Sequence, residues 1–400
     1  MRIFLIEKWK LRLWGALFCL AFIFRINCYQ TQPQLMNAKL YQARQKFPPL
    51  IFLPEYQQGP PVHSSSSILI ESKSGMVLFA KAPDQRRAPA STTKMMTAIV
   101  ALELGNLKQI IHVSKRAANT PGSSLWLRPG EKLRLHDLLV GMMLHSGNDG
   151  SIAVAEGVAG NMERFVNLMN LKAKEIGALN TNFRNPHGLR APSHFTTVLD
   201  LALIARYGLA DPRFAGLVKQ KNAVLKWAEG KKQMELANTN RLLWYLEGAD
   251  GVKTGTTNEA GHCLVASATR DGRQMIAVVL NSGDRWGDCA RLLEYGFKNF
   301  TTLTIARRNQ AVGRVKIADG DRDWLYLYPR QDLITVVKKG NETLITPRIM
   351  IPRGPVSAPL QPQTKLGEIG YEYRGKLVEA VDLVNHQAIN RKRQWWWFIR

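Results

Sequence analysis

The chain has 400 residues, 45% of them hydrophobic, and a formal net charge of +24. That length exceeds what a single core sustains, about 250–300 residues, so two or three domains are expected. The composition excludes a disordered or collagen-like chain. The charge points to nucleic acid, an anionic membrane surface or an acidic polymer as partner.

Arg2, Lys8, Lys10 and Arg12 precede an apolar run from Leu13 to Phe24 that ends at Arg25. The run has the length of a secretory h-region and falls short of the ~20 residues of a relaxed transmembrane helix. Residues 1–28 therefore read as a signal peptide or, since no small-x-small cleavage site follows, as an uncleaved signal anchor. Either places the bulk of the chain outside the cytoplasm and counts against nucleic acid. Residues 29–62 are polar, with Pro48-Pro49 and Pro60-Pro61, and read as a linker.

Residues 67–71 and 76–80 then predict two strands joined at Lys73-Ser74-Gly75. The stretch 92–104 is apolar nearly all round, with Met95, Met96, Ala98, Ile99, Val100 and Leu102, and predicts a helix buried on every side. Helices are also expected over 135–144 and 152–158, with a polar corner Ser146-Gly147-Asn148-Asp149 between them. Met162, Phe165, Met169, Ala173 and Ile176 recur at helical spacing before Gly177. Residues 263–268 and 275–280 predict a hairpin turning at Asp271-Gly272, and 292–300 a closing helix. Beyond 301 the texture changes. Short runs at 325–328, 334–337, 348–351 and 377–381 alternate with Gly and Pro, which predicts a separate small β domain.

Cys19 and Cys28 fall in or beside the export signal, and Cys263 and Cys289 lie in the body, where one bridge or two free thiols are both open. The eight histidines are scattered with no His-x-x-x-His pair, and no Cys/His metal spacing occurs, so neither metal nor cofactor is expected.

Three short motifs carry chemistry. In Ser91-Thr92-Thr93-Lys94, positions i and i+3 share a helical face, so the lysine amine reaches the serine hydroxyl. A serine is a weak nucleophile without a base. Lysine serves as that base only when neutral, which requires lowering its pKa of ~10.4 by roughly three units, ~4 kcal/mol. Burial and a second cation supply such shifts. In Ser146-Gly147-Asn148 the hydroxyl can relay a proton and the amide can hold the lysine and a substrate carbonyl. Lys253-Thr254-Gly255-Thr256-Thr257 offers a second positive charge, a hydroxyl for a carboxylate, and a glycine against which a peptide backbone can lie. Taken singly, each motif is also read as a helix cap, a turn or a strand end.

Together, in this order, Ser-x-x-Lys, Ser-x-Asn and Lys-Thr-Gly form the signature of penicillin-binding proteins and class A β-lactamases. The surrounding text, Arg87-Ala88-Pro89-Ala90-Ser91 through Ala98, Asn185-Pro186-His187-Gly188-Leu189 and Gly251-Val252-Lys253-Thr254-Gly255, resembles the low-molecular-mass penicillin-binding proteins, the serine-type D-alanyl-D-alanine carboxypeptidases. The resemblance runs from about Ser67 to Phe300 and continues more weakly through the β domain. It implies an α/β (α+β) catalytic domain, an antiparallel sheet flanked by helices, over 63–300, then a small all-β domain over 301–388 and a basic, Trp-rich tail over 389–400. It further implies attack by Ser91 on the penultimate D-Ala carbonyl of a peptidoglycan stem peptide, with Lys94 as base and an acyl-enzyme that water resolves. β-Lactams would inhibit it.

On the same resemblance, Ser146 and Asn148 position Lys94 and pass protons, and the N–H groups of Ser91 and Thr256 form the oxyanion hole. Each such donor is worth ~2.7–4 kcal/mol in the transition state. Lys253, Thr254 and Gly255 receive the substrate, with Arg285 on its carboxylate. His187 and Asp200 fall in matching segments and read as supporting residues. The tail departs from the longer amphipathic helix usual in the family. Arg391-Lys392-Arg393 followed by Trp395-Trp396-Trp397 suits contact with a lipid interface, and the charge suits anionic lipid and wall polymers at the extracytoplasmic face of the membrane. The alternatives are a class A-like β-lactamase, against which stands the lack of a Glu around 185–188, and a non-catalytic wall-binding protein, against which stand the intact motifs.

Overall fold

The computed structural model describes residues 49–53 and 58–392. The expected export signal, most of the expected linker, and the tryptophans of the tail lie outside the described residues.

The centre is a six-stranded sheet built from both ends of the first 300 residues. Its strands are β1 (Ile51–Phe52), β2 (Ser66–Glu71), β3 (Met76–Lys81), β4 (Ala249–Thr257), β5 (Gly261–Arg270) and β6 (Arg273–Ser282), in the order β1-β3-β2-β6-β5-β4. All neighbours are antiparallel except β1, which adds two residues from the stretch read as linker, parallel to β3. The β5–β6 hairpin turns at Asp271 and Gly272, both at positive φ (49° and 71°), the conformation that a two-residue turn of this hand requires.

Successive side chains of a strand point to opposite faces, and here both faces are apolar. Ile68, Ile70, Val265, Ile276 and Val278 enter one core, while Leu69, Leu264, Met275, Ala277 and Val279 enter the other. The strands therefore read as unbroken hydrophobic runs rather than alternating ones, because helices cover both sides.

The five longest helices that pack into the first core are α1 (Lys94–Leu104), α2 (Leu135–Leu144), α3 (Asn148–Ala159), α4 (Met162–Glu175) and α5 (Val198–Leu209). The short helix Pro212–Val218 adds Phe214, Leu217 and Val218. In α1 every residue from Lys94 to Leu102 is buried, as its all-round apolar pattern predicts. Helix α4 buries only Phe165, Val166, Met169 and Ala173, and Asn161 caps it by accepting from Arg164 N–H at 2.8 Å.

The second core lies under α6 (Arg285–Asn299), which begins seven residues before the expected start. Its first two turns carry the part-buried Arg285 and Arg291 and show little apolar periodicity. Asp284, which accepts from Gly287 N–H at 2.9 Å, marks the true start. The buried carboxylate of Asp288 ties the incoming chain to this helix, accepting from His63 N–H (2.9 Å), Ser64 N–H (2.8 Å) and Ser282 Oγ (2.7 Å). Helix α5 has no counterpart among the elements expected from sequence. Its cap is Thr197, whose Oγ1 accepts from Asp200 N–H at 3.0 Å.

Residues from Phe300 onward form seven strands among the described residues. Phe300–Ala306 pairs with Leu333–Lys338, and Val336 of the latter packs into the α6 core. A five-stranded sheet orders Gly313–Lys316, Trp324–Pro329, Lys376–Val384, Lys365–Tyr373 and Ile345–Met350 edge to edge. Its core includes Leu325, Leu327, Ile369, Tyr371 and Leu383.

Cys263 and Cys289 are separate buried thiols, one in β5 and one in α6. Burial pushes the Cys263 thiol up to about 11 and holds Cys289 well above the ordinary thiol value, so neither is a nucleophile at neutral pH.

Candidate active site

Ser91 sits in a 3-10 turn, Ala90–Thr93, that leads directly into α1. Ala90 before it has φ 48°, a conformation costing a non-glycine residue ~1–3 kcal/mol. The turn is held from both sides by glycines. Gly255 of β4 lies so close that an added Cβ would stand 3.0 Å from Ser91 N, and a Cβ on Gly188 would overlap the Ala90 carbonyl. Gly188→Ala, at φ +93°, is therefore expected to destabilise the fold by about 2–4 kcal/mol, and to displace the turn. Thermal unfolding and the rate of penicillin acylation would register both effects.

Lys94, the first residue of α1, is fully buried. Its Nζ lies 2.9 Å from Ser91 Oγ, 2.7 Å from Asn148 Oδ1 and 2.8 Å from the His187 carbonyl. The Asn148 amide is oriented by its own Nδ2, which donates to the Pro121 carbonyl at 2.7 Å. Asn148 Oδ1 and the His187 carbonyl can only accept. A neutral lysine amine has two N–H donors for these two acceptors, and its lone pair is left facing the Ser91 hydroxyl.

The electrostatics favour that neutral form. Burial, and next the charge of Lys253, hold Lys94 well below the ordinary lysine value, against an opposing pull from Asp149. Lys253, in β4, is itself buried and is pushed down to about 7, by burial first and then by Arg285. Its Nζ donates to the Thr254 carbonyl at 3.1 Å. His187 stays neutral, lowered to about 3 by burial and by Lys94.

Ser146 lies between α2 and α3, buried, at φ 69°, and its hydroxyl makes no hydrogen bond among the described residues. The expected polar corner is shorter than predicted: Asn148 and Asp149 already belong to α3. The Asp149 carboxylate accepts from Gly150 N–H (2.8 Å), Leu125 N–H (2.9 Å) and Ser124 Oγ (2.7 Å), which fixes the loop at 124–125 against the start of α3.

On β4, Thr254 Oγ1 lies 2.7 Å from Thr239 Oγ1. Arg285, at the head of α6, donates to the Gly255 carbonyl (3.0 Å) and to Thr256 Oγ1 (2.7 Å). Thus 91, 94 and 148 meet through direct hydrogen bonds, and 253–256 join Arg285 along the facing strand. Asp200 stands apart in α5, where its carboxylate accepts from Thr181 Oγ1 at 2.6 Å and burial raises its pKa.

A family model described as D-alanyl-D-alanine carboxypeptidase matches residues 54–284, and one described as the penicillin-binding protein 5 C-terminal domain matches residues 300–391. The chain belongs to the D-alanyl-D-alanine carboxypeptidase family. The carboxypeptidase DacF of Bacillus subtilis is 35% identical over 79% of this chain and 83% of its own length. DacC of Escherichia coli is 33% identical over 84% and 87%. Among solved structures, penicillin binding protein 5 of Haemophilus influenzae superposes with TM-score 0.74 at 28% identity, covering 84% of this chain and 99% of its own. The family and the α/β fold with an all-β second unit are those the sequence resemblance implies.

Within this carboxypeptidase scaffold, sequence reasoning missed several contributors. The His187 and Pro121 carbonyls act through backbone, which no side-chain pattern reveals. Thr239 is 15 residues from its partner Thr254. Asp149 had a readable signal, an acidic residue in the first turn of α3.

Proposed function

We propose that this carboxypeptidase removes the terminal D-alanine of a peptidoglycan stem pentapeptide through an ester on Ser91, with the residues in the following roles. Lys94 takes the Ser91 proton as Oγ bonds to the penultimate D-Ala carbonyl carbon. The N–H groups of Ser91 and Thr256 receive the oxyanion. The C–N bond breaks as Ser146 hands its hydroxyl proton to the departing amine and takes in exchange the one held by Lys94, so D-alanine leaves and the lysine is neutral again. Water, deprotonated by the same lysine, then cleaves the ester and restores Ser91. Thr254, Gly255 and Arg285 hold the substrate carboxylate and backbone, with Lys253 charged once that carboxylate arrives.

One observation carries the reading: the buried Lys94 amine lies 2.9 Å from Ser91 Oγ with Asn148 Oδ1 and the His187 carbonyl as its other two partners, so that in its neutral form both protons have acceptors and the lone pair faces the serine. Lys253 and Lys94 strengthen each other's roles. A substrate carboxylate raises the Lys253 pKa, and the charged Lys253 keeps Lys94 neutral, so the pair shares one proton on the substrate-binding side.

The same carbonyl-acylating geometry admits β-lactams at Ser91. The extracytoplasmic location follows from the basic-apolar N-terminus. An anionic membrane surface as partner is supported by the exit of the chain. Lys392 pairs with Asp323 at 3.4 Å, beside the strand whose Trp324 and Tyr326 are exposed opposite Lys316 and Arg314. Incubation of the purified protein with a D-Ala-D-Ala pentapeptide is expected to release one equivalent of D-alanine and leave the tetrapeptide. Rapid penicillin turnover with no D-alanine released would sink the assignment.

A further inference from the structure

A cavity of about 580 Å³ is lined by Lys115, Arg116, Asn119, His187, Leu189 and Arg190, among others. It backs onto the catalytic pair through two backbone carbonyls. Pro121, also in its lining, accepts from Asn148 Nδ2, and the His187 carbonyl accepts from Lys94 Nζ. With the substrate carboxylate at Thr254 and Arg285 and the oxyanion at Thr256 N–H, the acyl chain continues along β4 past Thr257, advancing ~3.3 Å per extended residue. There a cleft is lined by Leu189 and Arg190 together with Thr257, Asn258 and Glu259, and the same Leu189 and Arg190 wall the cavity. The cavity therefore lies on the acyl side of the scissile bond.

The His187 ring lines this cavity while only 8% exposed. Its Nδ1 accepts from Leu189 N–H at 3.1 Å, so the ring proton sits on Nε2. That Nε2–H has no hydrogen-bond partner among the described residues, and a buried donor left without an acceptor is destabilising. The groups around it are cationic, and no lining residue is acidic. Neither the Lys115 ammonium nor the Asn119 amide makes a hydrogen bond or ion pair among the described residues. Arg116 and Arg190 meet Glu163 (2.9 Å) and Glu259 (3.5 Å) only in solvent-exposed pairs, which hold their partners weakly. The Arg116 charge also reaches the His187 ring, whose pKa it helps to lower. A buried N–H donor among an ammonium, two guanidiniums and an amide is a receptor for a carboxylate.

We propose that this cavity is an acyl-side subsite for a second carboxylate of the stem peptide, carried upstream of the D-Ala-D-Ala end and received by His187 Nε2–H and Lys115; this rests on the assignment of Ser91 above. The site then separates stem peptides by the state of that group. A free carboxylate accepts from the His187 donor and neutralises the surrounding cations. A carboxamide in its place brings no charge, and its NH₂ half has nothing in the cationic lining to donate to. The preference is built into substrate binding, apart from the bond-breaking step at Ser91.

The test compares two pentapeptides, identical except that the carboxylates upstream of D-Ala-D-Ala are free in one and carboxamides in the other. A short diacyl D-Ala-D-Ala substrate that ends before those groups serves as reference. The full-length wild type is expected to cleave the free-acid peptide with kcat/KM about tenfold above the carboxamide, the difference lying mainly in KM. Lys115→Ala should bring that ratio to about twofold or less, and Lys115→Arg should keep most of it. Lys115 is exposed, so the variants keep the fold, which an unchanged unfolding temperature confirms. Equal cleavage of the two pentapeptides by a wild type that still turns over the reference overturns the subsite, as does a ratio that Lys115→Ala leaves unchanged. Turnover of none of the three substrates instead removes the Ser91 assignment, and the subsite with it.

Discussion

Ser91→Ala is expected to abolish labelling by a fluorescent penicillin and to lower pentapeptide turnover by roughly 10⁴–10⁶-fold, the range seen when an activated nucleophile is deleted. The size follows from the absence of a substitute. Thr92 donates its hydroxyl to the Pro89 carbonyl at 2.6 Å, and Thr93 Oγ1 is engaged with His194 at 3.1 Å, so no neighbouring hydroxyl takes over the Lys94 lone pair. Residual activity reflects oxyanion and binding contacts alone. Because the 3-10 turn is held by Gly188 and Gly255 rather than by the serine side chain, the variant should unfold within a few degrees of the parent. Persistent labelling, or an acyl adduct mapped by mass spectrometry to another residue, would show that the nucleophile lies elsewhere.

Lys94→Arg and Lys94→Met are expected to lose about 10³-fold or more in acylation rate, for opposite reasons. Arginine retains the charge and cannot become neutral. Methionine is neutral and has no lone pair of comparable basicity. Stability carries an independent signature. The folded pKa of Lys94 lies well below the unfolded value of ~10.4, so between the two the unfolded chain binds more protons and stability rises with pH. That gain is complete above the unfolded value and is lost as pH falls through the folded one, a tenfold difference in proton affinity being worth about 1.4 kcal/mol. Lys253 contributes the same sign between about 7 and ~10.4. Wild type minus Lys94→Met, measured by denaturant unfolding across pH 7 to 10, should therefore slope upward. A flat difference would mean that Lys94 is charged in the folded protein and is not the base.

The three motifs were legible because each is local. Ser91 to Lys94 is one helical turn, Ser146 to Asn148 is one corner, and 253–256 is one strand. The β5–β6 hairpin was legible for the same reason, since Asp271-Gly272 states its own backbone conformation. Helix α6 was half read: its apolar second half was visible, while the polar first half that presents Arg285 was announced only by the Asp284 cap. Helix α5 went unread although Thr197 and Asp200 carry its cap in plain text.

Hydrophobic periodicity by itself determined the buried character of α1, while the three motifs together carried the family resemblance that implies Ser91 as nucleophile, Lys94 as base and 253–255 as carboxylate receptor. Asn148 as a partner and Lys253 as a second cation were expected, but only the tertiary structure brought them to Lys94 and added the His187 carbonyl, so that the acceptors, 54 and 93 residues away, and the charge of Lys253 meet at one buried amine. Desolvation and hydrogen-bond satisfaction are properties of a packed neighbourhood. A carbonyl carries no side-chain signature, so its partner emerges only when strands and helices from distant parts of the chain close around the lysine.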